Sequence, residues 1–167
     1  GSTSTITTDT TFGNTGAITF AGVNTFTGGL DTTAASGVSA TGTLATVDTQ
    51  MDLGDADTGL TLTGGLTLLS GTGAINTGAV TDGASSFALT LDDGTNTQTG
   101  KVTFGGNVTL DTLTVTADAY DVEFQGSTST ITTDTTFGNT GAITFAGVNT
   151  FTGGLDTTAA SGVSATG

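Results

Sequence analysis

Gly16-Ala17-Ile18-Thr19-Phe20, Gly59-Leu60-Thr61-Leu62-Thr63, Gly100-Lys101-Val102-Thr103-Phe104 and Gly141-Ala142-Ile143-Thr144-Phe145 open four similar segments, and their reading decides the fold. Each alternates apolar and polar residues, the pattern of a strand with one buried face. The segments start 43, 41 and 41 residues apart, and each interval halves again. Ile18, Val38, Leu60, Val80, Val102, Val122 and Ile143 follow one another at 20, 22, 20, 22, 20 and 21 residues. A second column runs through Phe20, Ala40, Leu62, Phe104, Phe124 and Phe145, with Asp82 as the exception. A third runs through Phe26, Val47, Leu68, Leu89, Leu110, Ile131 and Phe151. A beat of about 21 residues, with Gly and Asn at the turns, predicts an all-β parallel β-solenoid. Each coil would hold three short strands, stacked ~4.8 Å from the next, with the apolar columns inward and Thr outward. The absence of Pro agrees, because stacked coils engage nearly every backbone N–H. A β-sandwich would need patterning that differs from strand to strand, and the columns argue against it.

A longer period contains this one. Residues 1–42 recur unchanged at 126–167, an offset of 125. Identity of that length implies duplication within a tandem array. The chain reads as one continuous solenoid: 1–15 ends one repeat, 16–58, 59–99 and 100–140 are sub-repeats, and 141–167 starts the next. Six coils per period predict an axial repeat of roughly 29 Å. The two copies are expected to share one conformation, related by that translation and any twist. The chain reads as an excerpt that begins and ends in mid-pattern, with no cap at Gly1 or Gly167.

Composition excludes much chemistry. Thr supplies 45 of 167 residues and Gly 28, and a net charge of -14 rests on 15 acids against the single base Lys101. Without Cys or His, zinc, haem, iron–sulfur and disulfide readings fall away. One Lys and no Arg cannot neutralise phosphates, so nucleic acid and anionic membrane are poor partners. No apolar run is long enough to insert in a membrane as a helix, and no signal peptide is visible. Leu, Ile, Val and Phe total 37 residues, close to the disordered range, but strict alternation and a charged fraction of only 10% favour folding.

The phrases Gly16-Ala17-Ile18-Thr19-Phe20, Leu60-Thr61-Leu62-Thr63-Gly64-Gly65, Gly105-Gly106-Asn107-Val108-Thr109-Leu110 and Leu113-Thr114-Val115-Thr116-Ala117 resemble very large bacterial surface proteins built of β-strand repeats. Filamentous haemagglutinins and autotransporter passengers are of this kind. The resemblance covers essentially the whole chain and is one of style and composition. It implies a right-handed parallel β-helix, secretion to the cell surface, and a role as fibre, adhesin or matrix component. It carries over no catalytic residue.

Asp52, Asp55 and Asp57, with Gly54 and Gly59, place three carboxylates at one coil corner, and hard oxygen ligands so spaced suit calcium. The spacing is not that of a complete calcium loop, and solvated turn carboxylates are the simpler reading. Asp92 and Asp93, before Gly94 and Asn96, form a second calcium candidate that reads equally well as an Asp-Gly turn. Paired carboxylates could act on a glycan, but such sites usually add Arg, Lys or His, and Lys101 has no evident partner. Thr-X-Thr triplets such as Thr61-Leu62-Thr63 scatter across columns, which speaks against an ice-binding array. The phenylalanines read as core. Tyr120 reads as out of phase with Val122 and Phe124, and is expected at an exposed corner or against a neighbour.

These readings converge on a non-enzymatic, extracellular structural segment of a bacterial fibre, sheath or surface filament. No cofactor is implied beyond candidate calcium. Its partners would be further copies of itself, end-to-end, lateral or both. The alternative is the stalk or binding region of a large adhesin.

Overall fold

The structure is a computed structural model that describes every residue except Gly1, Ala84, Asp93 and Asn96. It is a parallel β-solenoid. Every strand pairing among the described residues is parallel. The antiparallel sandwich is thereby set aside.

Pairing sorts the strands onto three faces. Face I holds 18–21, 38–41, 60–63, 80–81, 108–110, 128–131 and 148–151. Face II holds 3–6, 23–26, 43–46, 66–69, 88–91 and 112–115; Val115 then bridges to Phe137, and 135–136 pairs with 155–156. Face III holds 10–11, 30–31, 51–52, 75–77, 102–104, 122–124, 142–146 and 162–166. Three long strands, Ile18–Phe26, Val38–Thr46 and Leu60–Leu69, run across faces I and II without a break. The first two bend at Gly22 (φ 81) and Gly42 (φ 96). A Cβ on Gly42 would overlap the carbonyl of Gly22, so this corner admits only glycine on both conformational and steric grounds.

Inside lies a single apolar core. Val38, Leu44, Met51, Leu60, Leu68, Ile75, Leu89, Val102, Phe104 and Phe124 are essentially inaccessible. Thr fills the outward half of most strands, as alternation demands. Asp82, the exception in the second column, is buried and accepts the N–H of Asp111 at 2.8 Å, so the backbone satisfies it. Val47 does not join the third column: it is 49% exposed, and Thr46 takes the inward place beside it.

The first column does not stay on one face. Ile18, Val38, Leu60 and Val80 stack on face I, but the next residue above Val80 is Val108. Val102, Val122 and Ile143 belong to face III, continuing from Ile75. The cause lies in the second sub-repeat. After Ala88–Leu91 a strand on face III would be due, and the stretch offered is Asp92-Asp93-Gly94-Thr95-Asn96-Thr97-Gln98-Thr99. It contains no apolar side chain to seat in the core, so its described residues form a corner loop. The following strand, Val102–Phe104, takes the place on face III. The 125-residue period therefore falls one face short of six coils.

The two identical stretches consequently share local structure while occupying different faces. Asp31 Oδ1 accepts the N–H of Thr33 at 2.9 Å, and Asp156 Oδ1 accepts that of Thr158 at 2.9 Å. Phe12, Phe20 and Phe26 meet edge-on at 5.7, 6.4 and 5.8 Å. Their copies Phe137, Phe145 and Phe151 meet at 5.9, 6.1 and 5.5 Å. Yet Phe20 stands on face I and Phe145 on face III. A simple axial translation does not relate the copies.

Candidate functional site

Face III carries the most acidic ladder of the molecule. Register stacks Thr11, Asp31, Asp52, Asn76, Thr103 and Glu123 one above the next on its outer side. Asp31 above Asp52 sets like charges on neighbouring strands, an arrangement that is unfavourable unless relieved. Amides relieve it. Asn76 Nδ2 donates to Asp52 Oδ1 at 2.7 Å, and Gln50 Nε2 donates to both oxygens of Asp52 at 2.9 and 2.8 Å. Asp9, Thr11, Asp31, Gln50 and Asp52 line a shallow open depression there. Farther along, Lys101 pairs with Glu123, and the lysine's hydrogen bond is the first cause holding that carboxyl below its usual range. The lysine is half exposed, so the pair contributes less than ~1 kcal/mol.

The structure does not draw Asp52, Asp55 and Asp57 into one ligand set. Asp52 is on the face III ladder. Asp55 caps its own turn, with Oδ1 accepting the N–H groups of Asp57 and Thr58 at 3.0 Å each. Asp57 is exposed. Among the described residues no group of three or more acidic side chains could together hold a metal ion. Of the second candidate pair, Asp93 lies outside the described residues. Asp92 is only 1% exposed and adopts a positive φ of 59°. Its Oδ2 accepts Thr116 Oγ1 at 2.8 Å and the N–H of Gly94 at 3.1 Å, while Oδ1 is buried without a partner among the described residues.

Asp92 belongs to a buried polar cluster that sequence reading missed. Gln98 is 1% exposed; its Nε2 donates to Ser70 Oγ (2.8 Å) and the Gly100 carbonyl (2.9 Å), and its Oε1 accepts the Ser70 N–H (3.0 Å). The N–H of Gln98 donates to Asp118 Oδ2 at 2.9 Å. Beside them Tyr120 is fully buried, its hydroxyl shared between the carbonyls of Thr116 (3.1 Å) and Leu91 (3.3 Å). The expectation of an exposed Tyr120 is corrected. Tyr120, Val122 and Phe124 are spaced by two, so all three point inward. That signal was available in the sequence. These residues pin the corner loop that replaces a strand.

Burial pushes the Tyr120 hydroxyl well above its ordinary pKa; the Asp92 and Asp118 carboxylates add to the rise, and the Thr116 hydrogen bonds only partly oppose it. Below pH ~10 the phenol is neutral in both folded and unfolded chains, and its contribution to stability is constant. Above that pH the unfolded chain ionises first, so stability falls by up to ~1.4 kcal/mol per pH unit until the folded phenol follows. With no other Tyr and no Trp in the chain, phenolate absorbance reads this one group. Ionisation is expected only together with loss of the β circular-dichroism signal. A separate titration near pH 10 on the folded chain would refute the buried placement.

No helix among the described residues is long and apolar enough to cross a membrane. Comparison with protein-family models, with curated proteins and with solved structures gave no match. The class the structure defines is the β-solenoid, and its surface offers ladders and turn carboxylates.

Proposed function

We propose that this chain is a structural repeat segment of an extracellular bacterial fibre, sheath or surface filament, assembling with further copies of itself. One observation carries the reading. Leu30 and Val38, 2% and 1% exposed, are covered by the coil stacked on them, and residues 126–167 repeat 1–42 unchanged as coils of the same solenoid. Each coil completes its core when another coil is stacked on it. Covering a half-exposed Leu or Val with a further coil is worth ~0.8–1.5 kcal/mol, about half the value for full burial, and pairing the strand edge satisfies N–H and C=O groups.

Stacking must overcome the repulsion of a net charge of -14. The chain is therefore expected to sediment as oligomers or fibres, more readily in salt or calcium than in chelator at low ionic strength. A monomer at high concentration in every buffer would defeat the proposal. The same calcium titration, followed by Tyr120 fluorescence, checks the Asp92 loop as a calcium ligand: unchanged emission would remove that candidate. Specific binding on a carbohydrate array would favour the adhesin alternative.

A further inference from the structure

From Thr3–Ile6 to its copy Thr128–Ile131 the chain passes fourteen strands among the described residues, beginning with Thr3–Ile6 and ending with Val122–Phe124. Three of these, Ile18–Phe26, Val38–Thr46 and Leu60–Leu69, bend across two faces, so the period holds seventeen strand segments. Seventeen is not a multiple of three. Thr3 is accordingly on face II and Thr128 on face I. Thr10 is on face III and Thr135 on face II. Ile18 is on face I and Ile143 on face III. Every element of the second copy is displaced by one face in the same sense.

We infer that an array of this repeat displays each surface feature on the three faces in turn, returning to the starting face only after three periods. One period advances the pattern by a third of a turn and by ~27 Å, and the full cycle takes seventeen coils, ~82 Å. The acidic corner at Asp9 and Asp31 illustrates the step: its copy at Asp134 and Asp156 lies one corner round the rod. Both corners have the same build, with Gly28 and Gly153 pressed against the backbones of Asp9 and Asp134.

The consequence concerns the kind of partner the rod fits. A flat counter-surface touching one side would meet a given patch once in ~82 Å, whereas neighbours arranged around the rod meet it every ~27 Å. The surface suits lateral neighbours on all sides, namely further copies of the same filament. The phase itself is a property of the single chain and stands independently of the proposed fibre.

Two measurements test it on the chain as it is. The sequence has no cysteine, so introduced thiols are the only ones. Thr81 lies beside Thr109 in the structure, whereas an in-phase solenoid would set it beside Thr103. The pair Thr81→Cys/Thr109→Cys is expected to close to an intramolecular disulfide on mild oxidation, like the reference pair Thr19→Cys/Ser39→Cys, while Thr81→Cys/Thr103→Cys stays open. Closure of the 81–103 pair overturns the inference, as does failure of 81–109 when the reference pair closes. The second measurement uses an antibody fragment raised against the Asp9–Asp31 corner. Electron microscopy of the saturated complex is expected to show two fragments leaving one rod from different sides. Two fragments on one side, or mutual blocking that leaves one bound, would show that the copies face the same way.

Discussion

Gly100→Val is expected to abolish the folded state at ambient temperature, with loss of the β circular-dichroism signal. A Cβ on Gly100 would sit inside the carbonyl group of Gly73, and one on Gly73 inside that of Thr49. Backbones of three successive coils touch at this corner, so the obstruction is main chain and cannot rotate aside. Inserting atoms into packed side chains costs ~1–3 kcal/mol, and against backbone the cost lies at or beyond the upper end. The N–H of Gly100 also bonds the Gly71 carbonyl at 3.1 Å, and a displaced coil would lose it. Gly13→Ala is the matching control, since a Cβ there meets nothing within 4 Å, and it should leave stability within ~0.5 kcal/mol. Equal tolerance of both substitutions in a denaturant titration would contradict the tight corner.

Phe124→Ala should cost ~3–5 kcal/mol, the range for truncating a buried aromatic. Phe124 is fully buried, with its ring 4.8 Å from Phe104, 5.3 Å from Phe145 and 6.2 Å from Phe137. It joins Phe104 to the Phe137–Phe145–Phe151 group, and the coils on either side hold their spacing through backbone bonds, so the space cannot collapse. Ile6→Ala, at a side chain 38% exposed in the first coil, should cost well under half as much. Comparable losses at the two sites would mean that the first coil is more deeply covered than the structure shows.

The solenoid was legible because its physics is local and repetitive. Alternation at Val102-Thr103-Phe104 or Leu113-Thr114-Val115 specifies a strand and its inner side, and a beat near 21 specifies stacking. The phase was not legible from the beat. All three faces accept Val, Ile or Leu, so the step of 22 residues from Val80 to Val102 looks like one more coil although it links two faces. The deciding signal was compositional: eight successive residues, 92–99, without one apolar side chain. For the candidate sites, residue types and spacing set Asp52, Asp55 and Asp57 at one coil corner; Asp55 does cap a turn, but Asp52 stands on the strand Met51–Asp52. Types and spacing could not show that Asp52 would be taken up by Gln50 and Asn76, or that Asp92 would be buried with Gln98 and Tyr120. Those contacts join residues up to 29 positions apart through coil stacking.

The orientation of the hydrogen-bond ladders also fixes how such a rod answers a pull. Strands run around the axis and the bonds between coils run along it, so tension applied at the two ends loads one coil's bonds at a time and not the whole ladder in shear. Coils would then peel in succession from an end. A 20-residue coil, the step from Ile18 to Val38, occupies ~4.8 Å of rod but releases up to ~70 Å of extended chain. A solenoid pulled from its ends would therefore yield in many small steps and give out a large length of chain, in contrast to a ladder loaded in shear.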